Sequence, residues 1–158
     1  ITAHSSSIVK LKERMHNKTP AVKSRVANWM DDKKVLSEIR HQVFVQEQNV
    51  PEEMEWDDYD ESSIHYLATI DNRVVAVARL KPDGQLGRMA VLAKFRHQGI
   101  GSSLLRFILQ DIQDKGLSGI YLHAQVSAIS FYQKHGFKEN GLVFYEANIA
   151  HRKMLLEY

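Results

Sequence analysis

Residues 85–112, QLGRMAVLAKFRHQGIGSSLLRFILQDI, change character near their middle. Gln85 to Val91 reads as a strand. From Gly99 onward, Ile100, Leu104, Leu105, Ile108, Leu109 and Ile112 share one helical face, and Gly116 stands just past the last turn. At the junction Arg96-His97-Gln98-Gly99-Ile100-Gly101 spells R-x-x-G-x-G. A helix start offers unpaired backbone N–H groups and the positive end of the helix dipole, and glycine lets an anion come close to the backbone. The stretch therefore suits a phosphate, although a bare Gly-x-Gly is also what an ordinary strand-to-helix turn contains. A dinucleotide fingerprint would need glycine where Leu104 stands, and a P-loop would need Gly-Lys-Ser/Thr, which is absent.

On the N-terminal side, His65 to Ile70 and Val74 to Leu80 read as strands joined at Asp71-Asn72, and Pro82-Asp83-Gly84 turns the chain into the strand Gln85 to Val91. Further out, Val22 to Trp29 reads as a first strand and Asp31 or Asp32 as a helix cap. Val35, Ile39 and Val43 form the buried stripe of a helix running to about Val45. Residues 1–20, rich in Ser and Lys, read as a loose or weakly helical lead segment ahead of one domain over residues 21–158. On the C-terminal side, Ile120 to Ala124 is a strand and a short helix through Ile129, Phe131 and Tyr132 stops at Gly136. Two strands follow near Leu142 to Tyr145 and His151 to Leu156. The fold class is α/β: a mixed, mostly antiparallel sheet of about six to seven strands flanked by helices.

Hydrophobic residues make up 44% and charged residues 25% of the chain, the balance of a domain that buries its own core. No apolar run approaches the roughly 18 residues that would span a membrane, and no stretch near Ile1 resembles a secretory signal, so a cytoplasmic protein without a membrane partner is expected. The absence of cysteine excludes disulfides, thiolate zinc sites and a cysteine nucleophile, and no metal is expected. A net charge of +2 does not call for nucleic acid. Its distribution is uneven: Pro51 to Glu61 holds seven acids and no Lys or Arg, which leaves about +9 on the rest of the chain. That segment reads either as an attractor for a cationic amine or as a solvated loop.

With these features together the sequence resembles the GNAT superfamily of acyl-CoA N-acyltransferases, whose cofactor loop is Q/R-x-x-G-x-G/A at the same junction. A second motif agrees, because Ala128 to Phe137 (AISFYQKHGF) fits the family's A-x-x-F-Y-x-x-x-G-F pattern. VFVQEQNVP over Val43 to Pro51, Ala124-Gln125, and E-x-x-I-x-H-x-x-M over Glu146 to Met154 are similar to the ElaA-like branch. That branch carries Asp-Gly and Pro where this chain has Ala147-Asn148 and Ala150, although Asn accepts the left-handed turn geometry of Gly. The resemblance covers roughly Val22 to Leu156.

It implies a sheet splayed between the strand ending at Val91 and the strand Ile120 to Ala124. Acetyl-CoA would be the cosubstrate, with its pantetheine arm in the gap and its pyrophosphate on Arg96, His97, Gln98, Gly99, Ile100, Gly101 and Ser102. Backbone N–H groups of Met89, Ala90 and Val91 would polarise the thioester carbonyl. Gln125 would bond the pantetheine amides, a capping or surface role being its alternative. Tyr132 would sit near the sulfur and donate a proton to the departing thiolate; outside the motif it reads as half-buried packing, as Phe131 and Phe137 do.

For the base that frees the amine, no carboxylate lies on Gln85 to Val91. Glu47, His65, His123 and His151 border the presumed acceptor pocket; Glu47 and His151 lead, and a water relay is the alternative. The expected activity is N-acetyl transfer by direct attack in a ternary complex, with an amine-bearing small molecule or peptide as acceptor. The rival is a non-catalytic acyl-CoA-binding or sensing module. A homodimer is left open.

Overall fold

The computed structural model describes residues 21–157, so the expected lead segment, residues 1–20, lies outside the described residues. Strand β1 (Lys23–Ala27) ends at Asn28, whose side chain accepts hydrogen bonds from the N–H groups of Met30 (2.9 Å) and Asp31 (3.3 Å). The cap expected at Asp31 or Asp32 is therefore Asn28. A cap needs extended backbone just ahead of the helix; Asn28 has it, whereas Asp31 and Asp32 already lie in the first turn. Asp32 instead accepts from the Asn28 N–H (2.8 Å) and pairs with Arg25 at 2.9 Å. Helix α1 (Trp29–Arg40) buries Leu36 and Ile39, then widens into a π-helical segment (His41–Glu47) that buries Val43.

A one-turn helix, α2 (Glu52–Glu55), precedes an antiparallel meander of β2 (Ile64–Ile70), β3 (Arg73–Leu80) and β4 (Gln85–Val91). Asp71 and Asn72 both take positive φ (49° and 63°), the two-residue turn whose twist suits a hairpin. Then come α3 (Ile100–Asp114), β5 (Tyr121–Gln125), α4 (Ile129–Gln133), β6 (Phe137–Glu146) and β7 (Ile149–Leu156). The last two strands are longer than the sequence suggests because Ala147 and Asn148 (φ 48° and 63°) make the same kind of tight turn. Among the described residues seven strands are ordered β1-β2-β3-β4-β5-β7-β6, and of their pairings only that of β4 with β5 is parallel.

Both faces of the sheet are covered. Ile100, Leu104, Leu105, Ile108 and Ile112 of α3 pack on one face against Tyr66, Ala68 and Ala76. Leu36, Ile39 and Val43 pack on the other against Leu67, Val77 and Ala90. β4 and β5 pair only at Gln85–Tyr121 and Leu86–Leu122. They are pinned close at that end: a Cβ on Gly84 (φ 97°) would lie 2.4 Å from the Gly119 carbonyl oxygen, so only glycine fits. Beyond Leu86 no residue of β4 has a partner on β5, and the sheet opens.

Candidate active site

The open edge of β4 supplies backbone. The Leu92 N–H bonds the Val75 carbonyl (2.9 Å), which turns Leu92, and by alternation Ala90, toward β3. The Val91 carbonyl accepts from Arg96 Nε at 2.9 Å on the opposite side. A strand residue's N–H and C=O point the same way, so the N–H of Val91, and two residues back that of Met89, face the gap.

At the start of α3, Gly99 is the cap in the left-handed conformation (φ 78°), and among the described residues no side chain caps the first turn. A Cβ on Gly99 would meet nothing within 4 Å, so this side of the helix start is open; a Cβ on Gly101 would instead meet Phe131 and Val91 at 3.5 and 3.7 Å. His97 also has positive φ (62°), Gln98 bonds the Lys94 carbonyl (3.1 Å), and the Ser102 hydroxyl lies 3.2 Å from His135 Nε2. The Arg96 guanidinium forks onto the Glu47 carboxylate, with Nη2 to Oε1 at 2.8 Å and Nη1 on the other oxygen. That hydrogen-bonded pair holds the Glu47 carboxyl below its usual range. Arg96 thus braces β4 and the π-helical segment, and Glu47 is outside the lining of the cavity described next.

Where β4 and β5 part, a cavity of about 560 Å³ opens. Met89, Gln125, Tyr132 and His151 all line it. Among the described residues the Tyr132 hydroxyl has one partner, the Met89 sulfur at 3.7 Å, and burial pushes its pKa up to about 12. Gln125 donates to Gln48 Oε1 (3.0 Å). His151 Nδ1 lies 2.6 Å from the Ile149 carbonyl oxygen. A carbonyl only accepts, so Nδ1 carries the proton and the Nε2 lone pair is left for another group. His123 faces the same cavity with Nδ1 2.9 Å from Glu146 Oε1, and the Phe144 ring packs against both histidines. His65 is elsewhere: buried, stacked on Trp29 at 4.5 Å, with Nε2 on the Asp60 carbonyl (2.7 Å), it holds structure together.

The acidic segment is neither fully solvated nor uncompensated. Arg40, 1% exposed, reaches Glu55 (2.7 Å) and Asp60 (2.8 Å), while Arg79 reaches Asp57 and Asp60 (2.8 and 2.9 Å). Burial alone would raise the Asp57 pKa, but bonds from Arg79 and from the Tyr59 N–H outweigh it and bring the value to about 2. Glu52, Glu53, Asp58 and Glu61 remain exposed. Glu55, Asp57, Arg79 and Arg88 line the cavity and carry no family motif. The signal that could have found them is an arginine inside each of two otherwise largely apolar strands, RVVAVARL and QLGRMAV, opposite an excess of acids.

Residues 26–158 match the family model of the acetyltransferase (GNAT) domain. The chain is 35% identical over 121 residues to the uncharacterized N-acetyltransferase YjcF of Bacillus subtilis, covering 74% of this chain and 86% of that protein. The crystal structure of Escherichia coli ElaA superposes with a TM-score of 0.77 at 24% identity, over 85% of this chain and 99% of that one. An acyl-CoA N-acyltransferase from Pseudomonas aeruginosa superposes with a TM-score of 0.76 at 28% identity, over 85% and 98%.

Proposed function

The chain belongs to the GNAT acetyltransferases and is an acyltransferase, and we propose that it moves an acetyl group from acetyl-CoA to an amine by direct attack while both are bound. The observation that carries the reading is the parting of β4 from β5 beyond Leu86, beside a helix start that no side chain caps. Acetyl-CoA supplies an acyl group activated as a thioester. The backbone from His97 to Ser102 would hold its pyrophosphate, while Arg96 fixes the loop's position through Val91 and Glu47. In this reading the Met89 and Val91 N–H groups would stabilise the carbonyl oxygen as it gains charge.

His151 is the base in this reading, accepting the amine's proton at Nε2 while the Ile149 carbonyl keeps the proton on Nδ1. Glu47, tied to Arg96, has the supporting part. Tyr132 stabilises the departing sulfur. Burial pushes its pKa up to about 12, well above that of an ordinary thiol, so complete transfer of its proton to the thiolate is uphill and a hydrogen bond to the sulfur is its main contribution. The Met89 sulfur, a weak acceptor, is easily exchanged for that stronger one. The test is release of free CoA from acetyl-CoA across a panel of primary amines. Turnover that His151→Gln reduces without weakening acetyl-CoA binding supports the assignment. Binding without turnover on any amine would leave the non-catalytic module as the better description.

A further inference from the structure

β4 carries an irregularity that the acyl-transfer reading does not use. Arg88 has φ 47° in mid-strand, and the pairing of β3 with β4 shifts register between Val77 and Arg79. Regular alternation would send neighbouring side chains to opposite faces, yet Gly87, Arg88 and Met89 all line the cavity. Left-handed geometry is strained for a non-glycine residue, and the irregularity leaves Arg88 on the same cavity as the methionine that touches Tyr132.

Arg88 is poorly matched by the protein itself. The short bonds of Glu55, Asp57 and Asp60 go to Arg40 and Arg79, at 2.7 to 2.9 Å. Arg88 Nη2 has only longer contacts, to the carbonyls of Met54 (3.4 Å) and Glu55 (3.2 Å) and to Asp57 Oδ2 (3.4 Å). Its Nε, 3.4 Å from Glu55 Oε1, makes no hydrogen bond, and none is made by Nη1 among the described residues. Burial lowers the pKa of Arg88, the mark of a cation that its surroundings compensate incompletely. Lys81 lies on the same cavity wall, and the far wall carries His123, Glu146 and His151. Glu55 and Asp57 line that wall as well, so Arg79, Lys81 and Arg88 leave it one positive charge in excess, while the far wall offers a carboxylate and an imidazole lone pair.

We propose that Arg88 receives a carboxylate of the acceptor, so that the substrate class is an amine that also bears a carboxylate, an amino acid or a close analogue. The inference rests on the acyl-transfer reading. A guanidinium gives a carboxylate two parallel charge-assisted hydrogen bonds, which an uncharged amide cannot match. The amino group of the same molecule then points toward Met89, Tyr132 and His151, where the acyl group is delivered.

The experiment uses a panel of α- and β-amino acids, each with its primary amide, and follows CoA release from acetyl-CoA. At least one acid should be consumed with kcat/KM about tenfold or more above its amide, the loss expected from removing a charge-assisted bond. Arg88→Gln should bring that ratio near one, and Arg88→Lys should retain part of it. Melting temperature and acetyl-CoA affinity report whether the variants are folded. Equal or greater use of the amides, consumption of none of the acids, or a ratio that survives Arg88→Gln overturns the proposal. The parental panel alone decides it if neither variant folds. Failure of acetyl-CoA to bind in calorimetry is a separate result that removes the acyl-transfer reading.

Discussion

The loop between β4 and α3 and the cavity beside it are neighbours built from different material. The loop offers backbone: an uncapped helix start, a glycine cap with open space in front of it, and N–H groups along an unpaired strand edge. The cavity offers side chains brought together from the π-helical segment, α2, β3, β4, β5 and the last hairpin. A backbone site should fail when atoms are added to it, and a side-chain site when atoms or charges are taken away.

The largest expected effect is on the cavity's floor. Glu55 is 2% exposed and bonded to Arg40, so Glu55→Gln leaves a buried guanidinium without its nearest counter-charge. A stability loss of roughly 3–5 kcal/mol in urea unfolding is expected, with acetyl-CoA affinity unchanged in the protein that remains folded. An unmoved unfolding midpoint would mean that the ionic cluster does not hold the floor.

Gly99→Val tests the loop in the opposite sense. The left-handed cap costs a β-branched residue on the order of 1–2 kcal/mol in stability, which the fold should survive. The added side chain would fill the space in front of the helix start, and acetyl-CoA affinity in calorimetry should fall by about 100-fold or more. Unchanged affinity in folded protein would move the pyrophosphate elsewhere.

The same contrast explains what could be read from the sequence. The loop was legible because its requirements are local: glycine at a left-handed cap, an apolar helical face after it and a strand before it fall within residues 85–112. The meander was legible for the same reason, with Asp71-Asn72 setting the turn. The cavity was not. Arg40 and Asp60 are 20 residues apart and Arg79 a further 19, and their pairing is set by the fold rather than by spacing. Even the helix cap slipped to Asn28, since Asn and Asp cap equally well and only backbone shape decides between them.

Tyr132→Phe removes one oxygen from the cavity and preserves the ring packing against Phe131 and Phe137. If the hydroxyl donates to a developing thiolate as proposed, its loss should cost about 10- to 100-fold in single-turnover rate. Acetyl-CoA affinity should stay level. A rate within about threefold of the parent, with chemistry limiting, would take the phenol out of the reaction.

A smaller effect comes from acid. Asp57 titrates near 2 in the folded protein against 3.8 ordinarily, so the unfolded chain binds more protons as pH falls. Its contribution is complete above about pH 4 and is lost on the way down to pH 2. Because the side chain is 28% exposed, solvent screening reduces the worth to about 1–2 kcal/mol. Urea midpoints at pH 6 and pH 2.5 measure the drop, and Asp57→Asn should flatten part of it. Asp32, Asp83, Asp111 and Glu47 are also held low and supply the remainder.

The smallest effect is the sharpest test of where the loop's backbone is approached. Gly101 lies inside the first turn of α3, and a Cβ there would make ordinary contact with Phe131 and Val91 rather than face open space. Alanine at this position therefore fills a packed interior and gains helix propensity, worth up to about 1 kcal/mol. Gly101→Ala should melt at or slightly above the parent temperature and bind acetyl-CoA within about threefold, less than 1 kcal/mol. The two glycines of one motif would then differ, Gly99 presenting backbone outward and Gly101 lying on the side of the helix packed toward Phe131. If Gly101→Ala instead lost binding as completely as Gly99→Val, the ligand would have to reach the inner side of the first turn. The pyrophosphate would then sit deeper between Val91 and Phe131 than the open face of Gly99 suggests.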